Sequence, residues 1–373
     1  MAFPNRRHIL GGGAALAARA AFPAAALHPQ RRHPSDVVHL GLIGVGIRGR
    51  NLMNGSFLKN AGFRMRAVCD VVPERAQDGK RIVDAAYGDS ACDIAANHRA
   101  LLARDDIDAV VIATPDHWHA NQVIDTVVAG KDVYCEKPLT RTLGEARAVV
   151  EAVRKHGRVF QTGSQQRCEY QQRFIRAAEL VRAGRIGQVL NVNVGVGNPT
   201  VPCQLPEEQA DPGVDWDRWL GPAQLRPYHS ILCPRGVHNH YPRWRDYAEY
   251  AGGGLADMGA HHFDIVQWAL GMDDSGPVRT EPPEDPEAKR GASLIYDGGI
   301  RVTHGGPSGA TFVGTKGILA VDRGRIDSVP AKLLEEELPE EQRLPRHAGH
   351  AANWLACIHD RSQPICHAEI GAR

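Results

Sequence analysis

A strand-like run that ends in three spaced glycines constrains this chain more than any other feature. From Val37 the sequence reads VVHLGLIGVGIRGR, so β-branched and apolar residues lead straight into Gly44-Val45-Gly46-Ile47-Arg48-Gly49. The pattern is GxGxxG between a predicted strand and a predicted helix. Gly44 permits the tight turn, Gly46 lets a pyrophosphate approach the backbone, and Gly49 lets the helix pack on the strand. Ile47 and Arg48 open that helix, whose N-terminal amides face the phosphates. A second strand is predicted over 63–69 (FRMRAVC), and Asp70 closes it, 21 residues beyond Gly49. A carboxylate there accepts hydrogen bonds from a ribose diol and repels a 2′-phosphate. The loop therefore predicts NAD, with Arg75 nearby keeping NADP open.

The alternation continues. Residues 107–113 (IDAVVIA) read as an apolar strand ending in Thr114-Pro115-Asp116, and 119–130 read as a helix closed by Gly130. Asp132 to Cys135 form the next strand, ending in Glu136-Lys137-Pro138-Leu139; a helix over 142–156 and a strand over 158–162 follow. Such alternation predicts an α/β fold whose N-terminal Rossmann domain is a doubly wound parallel sheet. Ligands sit at the carboxyl ends of such strands. Those ends carry Asp70, then Thr114, Asp116 and His119, then Glu136 and Lys137, all candidate cofactor contacts.

The rest of the chain is less regular. Residues 188–197 alternate as a strand, and 198–250 are long, irregular and rich in Pro, Trp and His. That length without pattern predicts a functional loop, a substrate wall or a subunit contact. In its WDxWLGPA segment, Trp216 and Trp219 are expected to pack the loop itself. Residues 255–270 have helical periodicity, which places Asp257 and His261 on one face, with Asp264 within reach of it. A hairpin is predicted around Asp297-Gly298-Gly299, strands flank Gly317, and the acidic run within 332–342 is a solvated face or loop. A helix runs from Ala348 to Cys357. The division is 35–162 for the dinucleotide domain and 163–373 for a C-terminal substrate and oligomerisation domain.

Composition removes other classes. Lys and Arg total 44 against 43 Asp and Glu, a net charge of +1. No bulk attraction draws such a chain to nucleic acid or an anionic membrane, so no nucleic-acid partner is expected. No stretch reaches the roughly 18–20 apolar residues of a membrane span. Eight cysteines without a CxxC pair make neither a disulfide framework nor a zinc ribbon. Cys69 and Cys135 sit in apolar runs as small buried residues. Eighteen histidines include His117-x-His119, His238-x-His240 and His261-His262, but no HExxH, and no metal is expected.

The first 34 residues read as an export signal rather than part of the fold. Arg6-Arg7 precede Ile9-Leu10, a Gly- and Ala-rich apolar run follows, and small residues close it at Ala24-Ala25-Ala26. Adjacent arginines before an apolar residue are similar to the twin-arginine type, which predicts a periplasmic or extracellular protein. Arg19 interrupts the run. Without a working signal the protein would be cytoplasmic.

Several motifs together resemble the glucose–fructose oxidoreductase/inositol dehydrogenase (Gfo/Idh/MocA) family. They are the glycine loop, Thr114-Pro115-Asp116-His117-Trp118-His119, Glu136-Lys137-Pro138, and Gly252-Gly253-Gly254-Leu255-Ala256-Asp257-Met258-Gly259-Ala260-His261-His262-Phe263-Asp264. The segment from Val214 to Ala223 resembles an exported bacterial subgroup. The resemblance implies a Rossmann domain followed by an α/β domain with an open, largely antiparallel sheet. It also implies NAD(P)-dependent hydride transfer on a sugar, cyclitol or related polyol, and a homo-oligomer. Lys137 of the EKP motif and Asp257 and His261 of D-x-x-x-H are then the catalytic candidates, with either Lys137 or His261 as the immediate base. Arg167, in a segment resembling the entry to the substrate side, and Asp264 are candidate substrate contacts. Relatives of this kind usually continue for a helix or two beyond the position of Arg373, so a shortened C-terminus is expected.

Three functions are compatible with these residues. One is a dehydrogenase or reductase of a sugar or cyclitol. Another is a glycoside-cleaving enzyme with retained NAD, which oxidises a ring carbon, eliminates the aglycone, adds water and returns the hydride. The third is a non-catalytic sugar or nucleotide sensor, which predicts loss of the EKP lysine or the helix histidine. Lys137 and His261 are both present.

Overall fold

A computed structural model describes residues 36–373; the predicted export segment lies outside them. Strands β1 (Val38–Ile43), β2 (Phe63–Cys69), β3 (Asp93–Ile94), β4 (Ala109–Ile112), β5 (Asp132–Cys135) and β6 (Phe160–Thr162) pair in parallel in the order β3-β2-β1-β4-β5-β6. Every residue of β4, β5 and β6 is buried, and β4 (AVVI) accordingly reads as a continuous apolar run rather than an alternating one. The connecting helices are α1 (Ile47–Leu52, continuing as a π-helical stretch to Phe57), α2 (Pro73–Tyr87), α3 (His98–Leu102), α4 (Asp116–Val128) and α5 (Leu143–His156). Thr142 and Glu145 form a reciprocal capping box at the start of α5, and left-handed Gly157 ends it. The strand order reverses between β1 and β4, so a crevice opens at their carboxyl ends.

The second layer contains α6 (Arg173–Arg182), β7 (Val189–Gly195), α7 (Trp216–Leu220), α8 (Gly253–Ala269), β8 (Arg279–Glu281), β9 (Ser293–Ile295), β10 (Arg301–Gly314), β11 (Ile318–Val321) and β12 (Ile326–Val329). Its sheet is largely antiparallel, in the order β12-β11-β10-β9-β8 with β7 paired to β10. β10 doubles back at Gly305–Gly309. Residues 301–304 lie beside 191–194, and residues 310–313 lie beside the same stretch in reverse, so β7 is clasped on both edges. Gly195 is required there, because a Cβ would stand 1.8 Å from the Pro307 carbonyl oxygen. Val192, Val194, Val302, Phe312, Leu319 and Val321 pack against Phe174 and Leu180 of α6 and Ile265, Val266 and Trp268 of α8. The hairpin turn expected at Asp297–Gly299 joins β9 to β10.

The last two helices, α9 (His350–Asp360) and α10 (Ala368–Ala372), return to the first sheet. Trp354, Cys357 and Ile358 share a core with β1 and β2, Ala368 joins the core of β4 to β6, and Arg361 pairs with Asp132 at 2.6 Å. The sequence division at 163 groups these helices with the second layer. Their periodicity shows that one face is buried, but not which sheet it meets.

Candidate active site

The glycine loop has the shape a dinucleotide needs. Gly44 has φ +89°, and a Cβ there would meet the Ala113–Thr114 backbone at 2.7–2.9 Å. A Cβ on Gly49 would lie 2.1 Å from the Gly44 carbonyl oxygen, so helix and loop touch. At Gly46 a Cβ would meet nothing within 4 Å. The middle glycine thus faces open space, the approach a pyrophosphate requires, while the outer two are dictated by the fold. No side chain caps α1, leaving its first amides for a ligand.

Asp70 braces this loop: its carboxylate accepts from the Val45 amide at 2.7 Å and the Val72 amide at 2.9 Å. Burial raises its pKa, against the pull of Arg75 and these two N–H groups. Gly44, Gly46, Ile47, Arg48, Asp70 and Thr114 line one cavity of about 540 Å³. Its far wall comes from the irregular segment, through Arg218, Trp219, Leu232, His238, Trp244 and Arg245. Two buried arginines fasten that wall. Arg50 donates to the His238 carbonyl at 2.5 Å and the Asn239 side chain at 3.2 Å. Arg75 donates to the Gly236 carbonyl at 2.9 Å and to the Pro234 carbonyl, and its guanidinium also meets His238. Arg75 thus spends two of its three nitrogens on this wall while lining the cavity. Trp216 stacks on Trp219 at 4.8 Å and backs the wall that Trp219 lines.

At the end of β5, Glu136 is buried and accepts from Arg48 at 2.7 Å and from Gln165 at 2.9 Å. Burial opposes its charge, but Arg48 holds the carboxyl below its ordinary value. Lys137 donates to the Asp257 carboxylate at 2.5 Å and the Asp257 carbonyl at 2.8 Å, joining the first sheet to the first turns of α8. Burial would raise the Asp257 pKa; Lys137, with Arg245 and Arg323, lowers it. One turn on, His261 is 2% exposed, and its Nδ1 has no partner among the described residues. Burial and the neighbouring Lys137 and Arg323 push this imidazole well below its ordinary value, so it is neutral at physiological pH. Asp116, buried at the start of α4, is pushed up to about 7 by burial, against Arg245 and Lys137. The start of α8 fits here because Gly254 packs its backbone on Gly197, where a Cβ would come within 2.8 Å.

His119, Arg167 and Asp264 do not line the cofactor cavity. The buried His119 ring meets the Pro138 carbonyl at 2.7 Å and the Thr114 carbonyl at 3.0 Å, so it ties two strand ends together instead of facing the cofactor cavity. Arg167 is 1% exposed and clamps Asp264 at 2.6 Å and Asp273 at 2.8 Å. Asp264 shares the stripe of Asp257 but sits seven residues on, about 10 Å along the axis. That distance gives it to Arg167 rather than Lys137, and the pair lines, together with Lys137, a second cavity of about 520 Å³ against α10. Sequence reasoning missed Arg245 and Arg323. Neither lies in a motif, and only the fold brings the turns that carry them to α8. Among the described residues no group of three or more His, Cys, Asp or Glu is arranged to hold a metal. None of the described helices is long and apolar enough to cross a membrane.

A doubly wound sheet with this loop, and a second layer that reaches its strand ends, defines a two-domain protein with an NAD-binding Rossmann domain. Comparison with known proteins agrees. Residues 38–164 match the Gfo/Idh/MocA oxidoreductase family's NAD-binding Rossmann fold, and 197–306 match its C-terminal alpha/beta domain. The chain belongs to that family. It is 28% identical over 220 residues to an inositol 2-dehydrogenase of Rhodococcus erythropolis, covering 54% of this chain and 60% of that protein. It is 32% identical over 169 residues to an alpha-N-acetylgalactosaminidase of Shewanella oneidensis, covering 42% of this chain and 34% of that one. The crystal structure of an aldose-aldose oxidoreductase from Caulobacter crescentus has the same fold, with a TM-score of 0.61 at 20% identity, covering 90% of this chain and 93% of that one.

Proposed function

We propose that this protein is an NAD-dependent oxidoreductase that moves hydride between the cofactor and a sugar, cyclitol or related polyol. The observation that carries this reading is the Lys137–Asp257 pair beside a neutral, buried His261 whose Nδ1 has no partner among the described residues, at the strand ends that border the glycine loop. Gly46 and the first amides of α1 would hold the pyrophosphate, and Asp70 the adenosine ribose. Bound NAD supplies the acceptor and donor of hydride at a carbinol carbon.

The residues then divide the proton work. Lys137 gives two hydrogen bonds to Asp257, which fixes its ammonium beside the reacting hydroxyl, where it polarises the oxygen and stabilises alkoxide character. His261 takes the hydroxyl proton, a role that a neutral imidazole suits and an imidazolium does not. Arg48 and Glu136 hold the loop and the lysine turn in register. The test is NADH formation with a panel of polyols by wild type and Lys137→Ala. Equal turnover by the variant would remove Lys137 from the chemistry.

One observation favours a second reading. The wall fastened by Arg50 and Arg75 covers one side of the cofactor cavity, which suits a nucleotide that stays bound through a closed oxidation–elimination–hydration–reduction cycle on a glycoside. The likeness to an alpha-N-acetylgalactosaminidase points the same way. A retained nucleotide would also suit export, which Arg6-Arg7 and the following apolar run support. Fractionation of cells expressing the full chain tests export. Purified protein that releases stoichiometric NAD on denaturation would favour retention, and an empty site that binds added NADH would favour the free dehydrogenase.

A further inference from the structure

Arg323 is a stacked cation that forms no ion pair with any described residue. It lies in the turn between β11 and β12, where Asp322 accepts from the Gly324 amide at 2.7 Å and the Arg325 amide at 2.9 Å. Asp322 spends its charge on Arg325 at 3.4 Å, not on Arg323. The Arg323 guanidinium lies over the Tyr170 ring at 4.8 Å, and its Nε donates to Gln166 at 3.1 Å. Gln166 in turn donates to the His261 carbonyl at 3.2 Å. The guanidinium is thus stacked, anchored through one nitrogen and linked to the α8 turn that carries His261. Its two terminal nitrogens have no hydrogen bond or ion pair with any described residue.

The surroundings leave this charge unspent. Lys137 is paired with Asp257 and Arg48 with Glu136. Arg245, which also forms no ion pair with a described residue, lies on the cofactor side, over Trp244 at 4.1 Å and on the cavity wall, and Arg141 donates to the Glu249 carbonyl. Glu169 is near enough to sense Arg323 but forms no ion pair with it, and burial raises its pKa. A planar guanidinium fixed in this way offers two parallel N–H donors, the match for a carboxylate. A phosphate monoester carries about −1.5 to −2 and asks for more compensation than one arginine gives.

We propose that the substrate is a sugar acid whose carboxylate is held by the two terminal nitrogens of Arg323, with its reacting hydroxyl toward Lys137 and His261. This rests on the oxidoreductase reading and names the substrate class for that site. Arg323 is a binding residue; no proton or hydride passes through it.

The test uses the full chain loaded with NAD. Glucuronate, glucose and glucose 6-phosphate are compared by calorimetry and by NADH formation, with wild type, Arg323→Gln and Arg323→Lys. Glucuronate should bind at least tenfold tighter than glucose. Arg323→Gln should weaken glucuronate by about tenfold to a hundredfold, the loss of two charge-assisted bonds, with KM rising far more than kcat. Glucose and NAD affinities should not move, and Arg323→Lys should restore part of the loss. Equal binding of glucose, tighter binding of the phosphate, or an Arg323→Gln variant that still prefers glucuronate would overturn the proposal. Hydride transfer from neutral sugars alone would sink this inference and spare the oxidoreductase reading. Failure of NAD to bind at all would sink that reading itself.

Discussion

Alanine at each of the three loop glycines separates a fold requirement from a ligand requirement. Gly46 has φ −64° and ψ −173°, which alanine adopts freely, and its Cβ would meet nothing within 4 Å. Gly46→Ala should leave stability unchanged or raise it by about 0.4–1 kcal/mol, through the entropy of the unfolded chain. The new methyl would stand where the pyrophosphate approaches, so NAD affinity should fall at least tenfold, about 1.4 kcal/mol. At Gly49 the added carbon would lie 2.1 Å from a backbone oxygen, which no rotamer relieves. Overpacking of this kind costs about 1–3 kcal/mol or more. Gly44→Ala combines a 2.7 Å approach to the Ala113 backbone with φ +89°, which adds about 1–2 kcal/mol of its own. Chemical denaturation and NAD titration of the three variants read both quantities. A Gly46→Ala protein with native NAD affinity would show that the cofactor does not cross this loop. If it lost stability as Gly49→Ala does, the open space at Gly46 would be wrong.

Further outcomes follow from the same geometry. Lys137→Ala should abolish turnover while NAD affinity, read by fluorescence titration, stays near wild type; a tenfold loss of affinity would recast the lysine as a cofactor ligand. Asp70→Ala should weaken NAD by about 1.5–3 kcal/mol and also lower the melting temperature, because the Val45 and Val72 amides lose their acceptor. Arg167→Met strands the Asp264 and Asp273 carboxylates and should cost about 3–5 kcal/mol in urea unfolding; an unchanged midpoint would contradict the structural role given to this triad. Burial holds His117, His262 and His350 at about 4, below their ordinary value of 6.5. The unfolded chain takes up those protons first, so stability is full above pH 6.5 and falls as the pH drops toward 4, by about 3 kcal/mol per group. A pH-independent unfolding free energy across that window would refute the assignment.

The first domain was legible because its signals are local. Three glycines at fixed spacing, an acid at the next strand end and a lysine before Pro138 each report a backbone constraint that sequence carries directly. The second domain depends on contacts between distant turns. Asp257 and His261 could be placed on one helix, but their neighbours could not. Arg323 arrives from a turn more than sixty residues later, and Arg245 from a loop with no periodicity. Arg167 is a candidate sugar contact by resemblance alone, and an arginine after a strand gives no sign of burial. Only the fold shows that Asp264 and Asp273 consume it. The α4 helix begins at Asp116, three residues before its predicted start, because Pro115 takes the N-cap position and Asp116 suits the first turn. α9 shows the same limit, since its apolar face was visible and the sheet it covers was not.

The most direct test of the assigned chemistry is a single-turnover experiment on NAD-loaded protein mixed with a sugar deuterated at the reacting carbon. Reduced nicotinamide should appear, carrying the deuterium, in wild type and not in Lys137→Ala. Substrate conversion with no deuterium ever reaching the nicotinamide would contradict hydride transfer at this site.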